Sequence, residues 1–209
     1  AELQAVPTTE YQSMRRVELV PAAEAEGPGR RALSGGGFAT WDFGTNLTGF
    51  IGAEIACEGP VRLWLAFDEI LRDGDVDPLR LHCANFVEYR LGPGEHALET
   101  IEPYTLRYLK AIAVEGACEV RRVCLREYAH PPVAARFEAS DPRLNQLFAA
   151  AIQTFRQNSL DIFMDCPSRE RAGWLCDSFF TARAERSFTG TSRVERNFME
   201  NFQLPESFA

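Results

Sequence analysis

Between about residues 10 and 128 the apolar positions recur in short runs, at 16–20, 38–43, 50–55, 61–67, 86–91, 111–114 and 119–125. Apolar residues that alternate or cluster over four to eight positions mark strands with at least one buried face. Most of these runs are bounded by chain breakers: GPGR at 27–30, GGG at 35–37, EGP at 58–60, RDGD at 72–75 and GPGE at 92–95. Many short strands separated by turns predict an antiparallel, all-β sandwich.

The texture changes at His130-Pro131-Pro132. Paired prolines suit neither a helix interior nor a central strand, so a linker is expected there, dividing the chain into domains at 1–130 and 131–209. Beyond it, residues 140–161 read as a helix. Asp141 is a good N-cap, Pro142 fits the first helical position, and Leu144, Leu147, Phe148, Ala151, Ile152 and Phe155 share one face. A loop at 165–168 leads into a second predicted helix over 169–188 that ends near Gly190. A third is predicted from Thr191 or Ser192, with Val194, Phe198 and Phe202 turned inward.

Composition narrows the possible partners. The chain has 209 residues, 45% hydrophobic, with a formal net charge of −8, which gives no broad basic face for a phosphate backbone. Nucleic acid is therefore not an expected partner. No window approaches the roughly 18 uninterrupted apolar residues of a membrane span, so a soluble chain with no membrane partner is expected. The cysteines (57, 83, 118, 124, 166 and 176) form no C-x-x-C pair and do not cluster with His82, His96 or His130. No metal site or cofactor is predicted, and most cysteines are expected to be reduced, buried small hydrophobes. The acidic residues Asp68, Glu69, Asp73, Asp75 and Asp77 lack the spacing of a calcium loop.

The densest polar segment is DCPSRERAGWLCDS at 165–178. It brings three carboxylates, Asp165, Glu170 and Asp177, together with Arg169, Arg171 and Trp174. On a loop running into a helix N-terminus such groups can converge on one small volume. A carboxyl beside a second carboxylate or an apolar wall has the raised pKa that a general acid needs, whereas neighbouring arginines pull the other way. The plainer alternative is a solvated, ion-paired surface with a core tryptophan.

The string DCPSRERAGW followed by Asp177 resembles the signature of bacterial α-L-rhamnosidases, glycoside hydrolase family 78, whose common form is D-C-P-x-R-x-E-R-x-G-W-x-G-D. Other segments extend the resemblance in order along the chain. WDFGTNLTGFIGAEI at 41–55 is similar to the family's D-F-G-x-N-x-x-G segment, LAFDEILRDGD at 65–75 to its acidic strand end and D-G turn, and EPYTLRYLKAIAVEG at 102–116 to its P-x-F-x-x-x-G-F-R-Y segment. Residues 140–170 resemble the opening of the family's helical catalytic domain. Two departures stand out. Asp165 precedes Glu170 by five positions where the common motif has six, and Cys176 replaces a glycine.

The resemblance implies a β-sandwich followed by the first helices of an (α/α)6 barrel, and an inverting hydrolysis of terminal α-L-rhamnosides. It implies Glu170 as the catalytic general acid, Asp165 and Asp177 as binders of sugar hydroxyls, Trp174 as a wall of the sugar pocket, and Arg169 and Arg171 as supports for the carboxylates. The implied substrate is a rhamnose-containing carbohydrate. In the family the base is a glutamate far downstream, and no position of this chain matches it. After Pro132 there is room for about three helices at roughly 20 to 30 residues each, so the barrel is expected to be incomplete and the chain alone inactive. The expected protein partner is the remainder of the catalytic domain or a second copy of the chain; cytoplasm and periplasm both stay open. Two other functions remain in view: a six-hairpin glycosidase for another sugar, and a non-catalytic carbohydrate-binding or assembly module using Trp41, Trp64, Phe86 and Tyr104.

Overall fold

The computed structural model describes residues 13–18, 20–21 and 30–202, with side chains from residue 30 onward. Residues 1–12, Leu19 in the first predicted strand, and 27–29 of the GPGR breaker lie outside the described residues. Among the described residues eleven strands precede three α-helices: β1 (Ser13–Glu18), β2 (Val20–Pro21), β3 (Arg31–Ser34), β4 (Phe38–Cys57), β5 (Val61–Asp68), β6 (Leu71–Arg72), β7 (Asp75–Val76), β8 (Phe86–Leu91), β9 (Gly94–Glu99), β10 (Tyr104–Glu115), β11 (Ala117–Ala129), α1 (Pro142–Asn158), α2 (Leu175–Thr189) and α3 (Arg193–Asn201). Among these residues no helix is long and apolar enough to cross a membrane.

The two predicted runs at 38–43 and 50–55 are one strand. β4 stays extended for 20 residues and serves both halves of the sheet. Its first half pairs with β10, from Phe38 opposite Ile112 to Gly49 opposite Tyr104. Its second half pairs with β11, from Gly49 opposite Glu127 to Cys57 opposite Cys118, and on its other side with β9. The main path is β1-β11-β4-β10-β5-β8, with β3 beside β11; β4 runs antiparallel to β2, β9, β10 and β11, as do β5 to β8 and β10, and β11 to β3. That arrangement is consistent with the predicted sandwich. Gly49 sits where β10 gives way to β11: a Cβ there would lie 2.3 Å from the Arg126 carbonyl oxygen, so no larger residue fits without moving backbone.

Alternation explains the core. Trp41, Leu47, Ile51, Ala53, Ile55 and Cys57 of β4 all carry odd residue numbers, so they share one face, and are buried. Leu63, Leu65 and Phe67 of β5 do the same, each burial worth about 1.5–3 kcal/mol before the entropy cost. Two bulges reset the phase. In β11 the register shifts between Val120 and Arg122, so the buried set changes from Cys118 and Val120 to Val123 and Leu125. In β10 it shifts between Leu106 and Tyr108, where Arg107 grips Asp42 with bonds of 2.7 and 2.8 Å. The RDGD breaker closes the β6–β7 hairpin with both Asp73 and Gly74 at positive φ (52° and 82°), the type I′ requirement.

Residues 15–127 form one compact unit; the described residues from Tyr128 onward belong to a second. In the second, Asp141 caps α1 by accepting from the Arg143 N–H at 2.9 Å, with Pro142 following as predicted. The His130-Pro131-Pro132 segment lies inside this second unit and is tied to the end of α1. His130 N–H donates to the Arg156 carbonyl, and Arg156 Nε donates back to the His130 carbonyl, each at 2.9 Å. Phe155, Phe163, Ala182, Val194 and Phe198 make a small core.

Three local expectations change. On the apolar face of α1, Phe155 is buried but Leu144 and Leu147 are exposed. α2 starts at Leu175, six residues later than predicted, because Arg171 takes a left-handed φ of 51° that no α-helix accommodates. Phe202 is 53% exposed rather than inward, since α3 ends at Asn201 and leaves that ring on the flank of Phe198, 5.0 Å away.

Candidate functional site

The segment singled out by the sequence is a closed loop feeding a helix. At its neck Asp165 N–H donates to the Ala172 carbonyl at 2.9 Å, while the Asp165 carboxylate accepts from the Ala172 N–H at 2.8 Å. Inside the neck Arg171 N–H donates to the Cys166 carbonyl at 3.2 Å. Burial pushes the Asp165 carboxyl up, but the N–H donors of Ala172 and Cys166, the Cys166 thiol and its own N–H outweigh this and hold it below the usual carboxylate range. Asp165 is thus an anion that shapes the loop. Trp174 is the N-cap residue of α2, its carbonyl accepting from Ser178 N–H, and Asp177 lies exposed in the first turn, where the helix dipole favours its negative charge.

Glu170 stands on the loop with both carboxyl oxygens engaged from opposite sides. Arg169 Nη2 donates to Oε1 at 2.7 Å, and the indole Nε1 of Trp174 donates to Oε2 at 2.6 Å. The Glu170 N–H in turn donates to Cys166 Sγ at 3.2 Å. These contacts fix the carboxyl without burying it: the Glu170 side chain is 39% exposed and Trp174 is 55% exposed. A carboxyl of set orientation beside an open aromatic face is suited to meet a polyol, with an oxygen for proton exchange and a flat apolar wall. The structure brings Arg169, Glu170 and Trp174 into direct contact. Asp165 joins them through the loop neck, Arg171 occupies the left-handed corner, and Asp177 sits one turn into α2.

Sequence reasoning missed the residues that hold this loop down. A Cβ on Gly173 would lie 2.6 Å from Phe198 Cε2, so the glycine lets the loop lie against the buried ring of α3. Glu185 of α2, fully buried, accepts from the N–H groups of Val194 at 2.9 Å and Glu195 at 3.0 Å, capping the α3 helix that carries Phe198. Within RAERSF this glutamate reads as an ordinary surface charge; nothing in the local pattern marks it. Gly173 carries a signal, a lone glycine inside the span predicted as the second helix.

The aromatic residues considered for glycan binding are elsewhere and mostly occupied. Trp41 is buried, Trp64 stacks on Phe86 at 4.7 Å with its Nε1 on Glu88, and Tyr104 packs against Phe67. The acidic turn is matched by cations: Asp68 is gripped by Arg80, Asp75 by Lys110 and Asp77 by Arg72.

Residues 132–205 match the sequence profile of the family described as bacterial alpha-L-rhamnosidase 6 hairpin glycosidase domain. No curated protein matches the chain in sequence. Solved structures do match in fold. The rhamnosidase from Klebsiella oxytoca with rhamnose bound is 19% identical with a TM-score of 0.72, over 91% of this chain and 44% of that one. The family 78 rhamnosidase of Bacillus sp. GL1 is 24% identical with a TM-score of 0.69, over 86% of this chain and 18% of that one. The Streptomyces avermitilis α-L-rhamnosidase complexed with L-rhamnose is 24% identical with a TM-score of 0.68, over 92% and 19% respectively. The chain therefore spans less than half the length of each of these structures. Residues 132–205 thus match the six-hairpin glycosidase domain of bacterial α-L-rhamnosidases in sequence, and about nine-tenths of the chain shares the fold of the corresponding part of solved rhamnosidases.

Proposed function

We propose that the chain comprises the sandwich domain (1–130) and the first (α/α)6-barrel helices (131–209) of an enzyme that hydrolyses terminal α-L-rhamnosides with inversion, Glu170 being its general acid. The observation that carries this reading is the Glu170 carboxyl, held open between Arg169 and the Trp174 indole inside the stretch that matches the family profile. In such a reaction the protonated carboxyl donates to the departing glycosidic oxygen while a second carboxylate, roughly 6.5–9.5 Å away, activates water on the opposite ring face. Trp174 walls the sugar and Asp177 and Asp165 hold its hydroxyls, Asp165 with only what the loop neck leaves free. Arg169 and Arg171 set the charge around the acid. The base is assigned to no residue of this chain, so the 209-residue chain alone is expected to be inactive.

Leaving-group dependence tests the acid. In the rhamnosidase polypeptide that contains this sequence, Glu170→Gln should lower kcat/KM by about 10²–10⁴-fold for rhamnosides with poor leaving groups and far less for nitrophenyl rhamnosides, which need little protonation. An equal loss for both classes would remove Glu170 from that role. Proton NMR of the first-formed sugar should show the inverted anomer. Turnover of an aryl α-L-rhamnoside by the isolated chain, abolished by Glu170→Gln, would contradict the expected inactivity.

A further inference from the structure

We infer that Cys57 and Cys118 are a paired redox site, able to close into a cross-strand disulfide that staples β4 to β11. The two residues are direct register partners in the antiparallel ladder. Directly opposed residues project from the same face, with Cα atoms about 4.5 or 5.5 Å apart depending on the hydrogen-bonding site. Either separation falls inside the range of roughly 4.4–6.8 Å that a disulfide spans. No other two cysteines face each other in the strand ladders; Cys124, the remaining strand cysteine of β11, stands opposite Gly52.

Position along the strands adds to this. Cys57 is the last residue of β4 and Cys118 the second of β11. The small approach of Cβ atoms needed to form the bond can therefore be absorbed in the turn that begins at Glu58, without disturbing the middle of the ladder. Both side chains are buried, 7% and 6% exposed, yet both line one cleft of about 640 Å³ whose rim carries Glu58, Glu119 and Arg121. The cleft provides a route for a small oxidant to sulfurs that bulk solvent scarcely reaches.

With a low-molecular-weight disulfide as oxidant the exchange balances in two steps. One thiolate attacks a sulfur of the oxidant, forming a mixed disulfide and releasing one thiol. The second protein thiolate displaces the other, leaving a protein disulfide and two reduced small thiols that carry the two protons. Burial pushes the Cys57 thiol up, and burial together with the neighbouring Cys57 pushes Cys118 up to about 11. Cys57 is then the readier first nucleophile. Linkage should be slow at neutral pH and should quicken about tenfold per pH unit up to pH 8, following the thiolate fraction.

The test uses the intact 209-residue chain. It is incubated with oxidised glutathione, its free thiols are alkylated, and it is digested with trypsin without reduction. Cys57 and Cys118 then fall in separate peptides, residues 32–62 and 111–121, each holding a single cysteine. The expected product is these two peptides joined, two hydrogens lighter than their sum and separated by dithiothreitol, with the other four cysteines alkylated. Recovery of both peptides individually alkylated or glutathionylated, or Cys57 joined to another cysteine, would overturn the inference. So would a linkage rate that does not change between pH 7 and 8. Because the native protein is mapped directly, the result does not depend on a variant that folds.

Discussion

The strand unit and the helical unit bury their apolar residues very differently. From Leu33 to Leu125 one continuous core collects leucines, isoleucines, valines and Trp41 from β3, β4, β5, β8, β10 and β11. Beyond Tyr128 the core is far smaller, built around Phe155, Phe163 and Phe198, while Leu144, Leu147, Leu175, Phe179, Phe180 and Met199 stay exposed. A sheet satisfies its backbone between strands and its apolar face against a second layer, so a strand unit can complete its core from consecutive sequence. Each helix carries an apolar stripe wider than one or two neighbours can cover. The candidate catalytic loop belongs to this second, less self-sufficient part.

A pair of leucines puts that contrast at its largest. Leu109→Ala in β10, fully buried, should cost about 2–5 kcal/mol through lost burial and a cavity, whereas Leu147→Ala on α1, 66% exposed, should stay within about 0.5 kcal/mol. Urea denaturation of both variants measures the difference; equal costs would erase the contrast. Glu185→Ala should cost about 1–3 kcal/mol, because the buried Val194 N–H and the part-buried Glu195 N–H of α3 lose their acceptor. Hydrogen exchange should then rise in α3 while β4 and β10 keep their protection.

Gly173→Ala should cost about 1–3 kcal/mol by pushing on Phe198, and it should also loosen the loop. Of the three tryptophans only Trp174 is exposed, so a change in indole emission would report the lost Glu170 contact. An unchanged emission spectrum would mean that the loop does not depend on α3.

The smallest effect belongs to the strand unit. Hydrogen bonds from Arg62, Trp64 and Arg90 hold the Glu88 carboxyl down at about 2, against an ordinary 4.5. A carboxyl lowered in the folded state stabilises fully above the unfolded value and loses that contribution as pH falls toward the folded one. The thermal midpoint of the native protein should therefore fall between pH 4.5 and 2 more steeply than that of Glu88→Gln.

Legibility in the sequence tracked these same differences. β5 and β8 were readable almost to the residue from alternation, and α1 from Asp141 and Pro142. β3 and β9 were not, because short edge strands such as GEHALE are held by backbone pairing and carry little apolar signal. The run through Gly44 and Gly49 reads as a break although the strand continues: Gly49 marks a close approach to β11 and Gly44 a positive φ within the strand, not turns. Within the site, Glu170, Trp174 and the arginines were visible as a motif. Glu185 and Phe198, which hold the loop from a distance, were not.

Period-two burial, the cap of α1 and the polar motif around Glu170 were written locally in the chain, because each depends on residues within a few positions of one another. The fusion of two runs into β4, the two bulges, the late start of α2, the facing of Cys57 and Cys118 and the clamp of Gly173 under Phe198 were decided only by tertiary structure. Each depends on what a distant segment places opposite a residue, and periodicity carries no record of that.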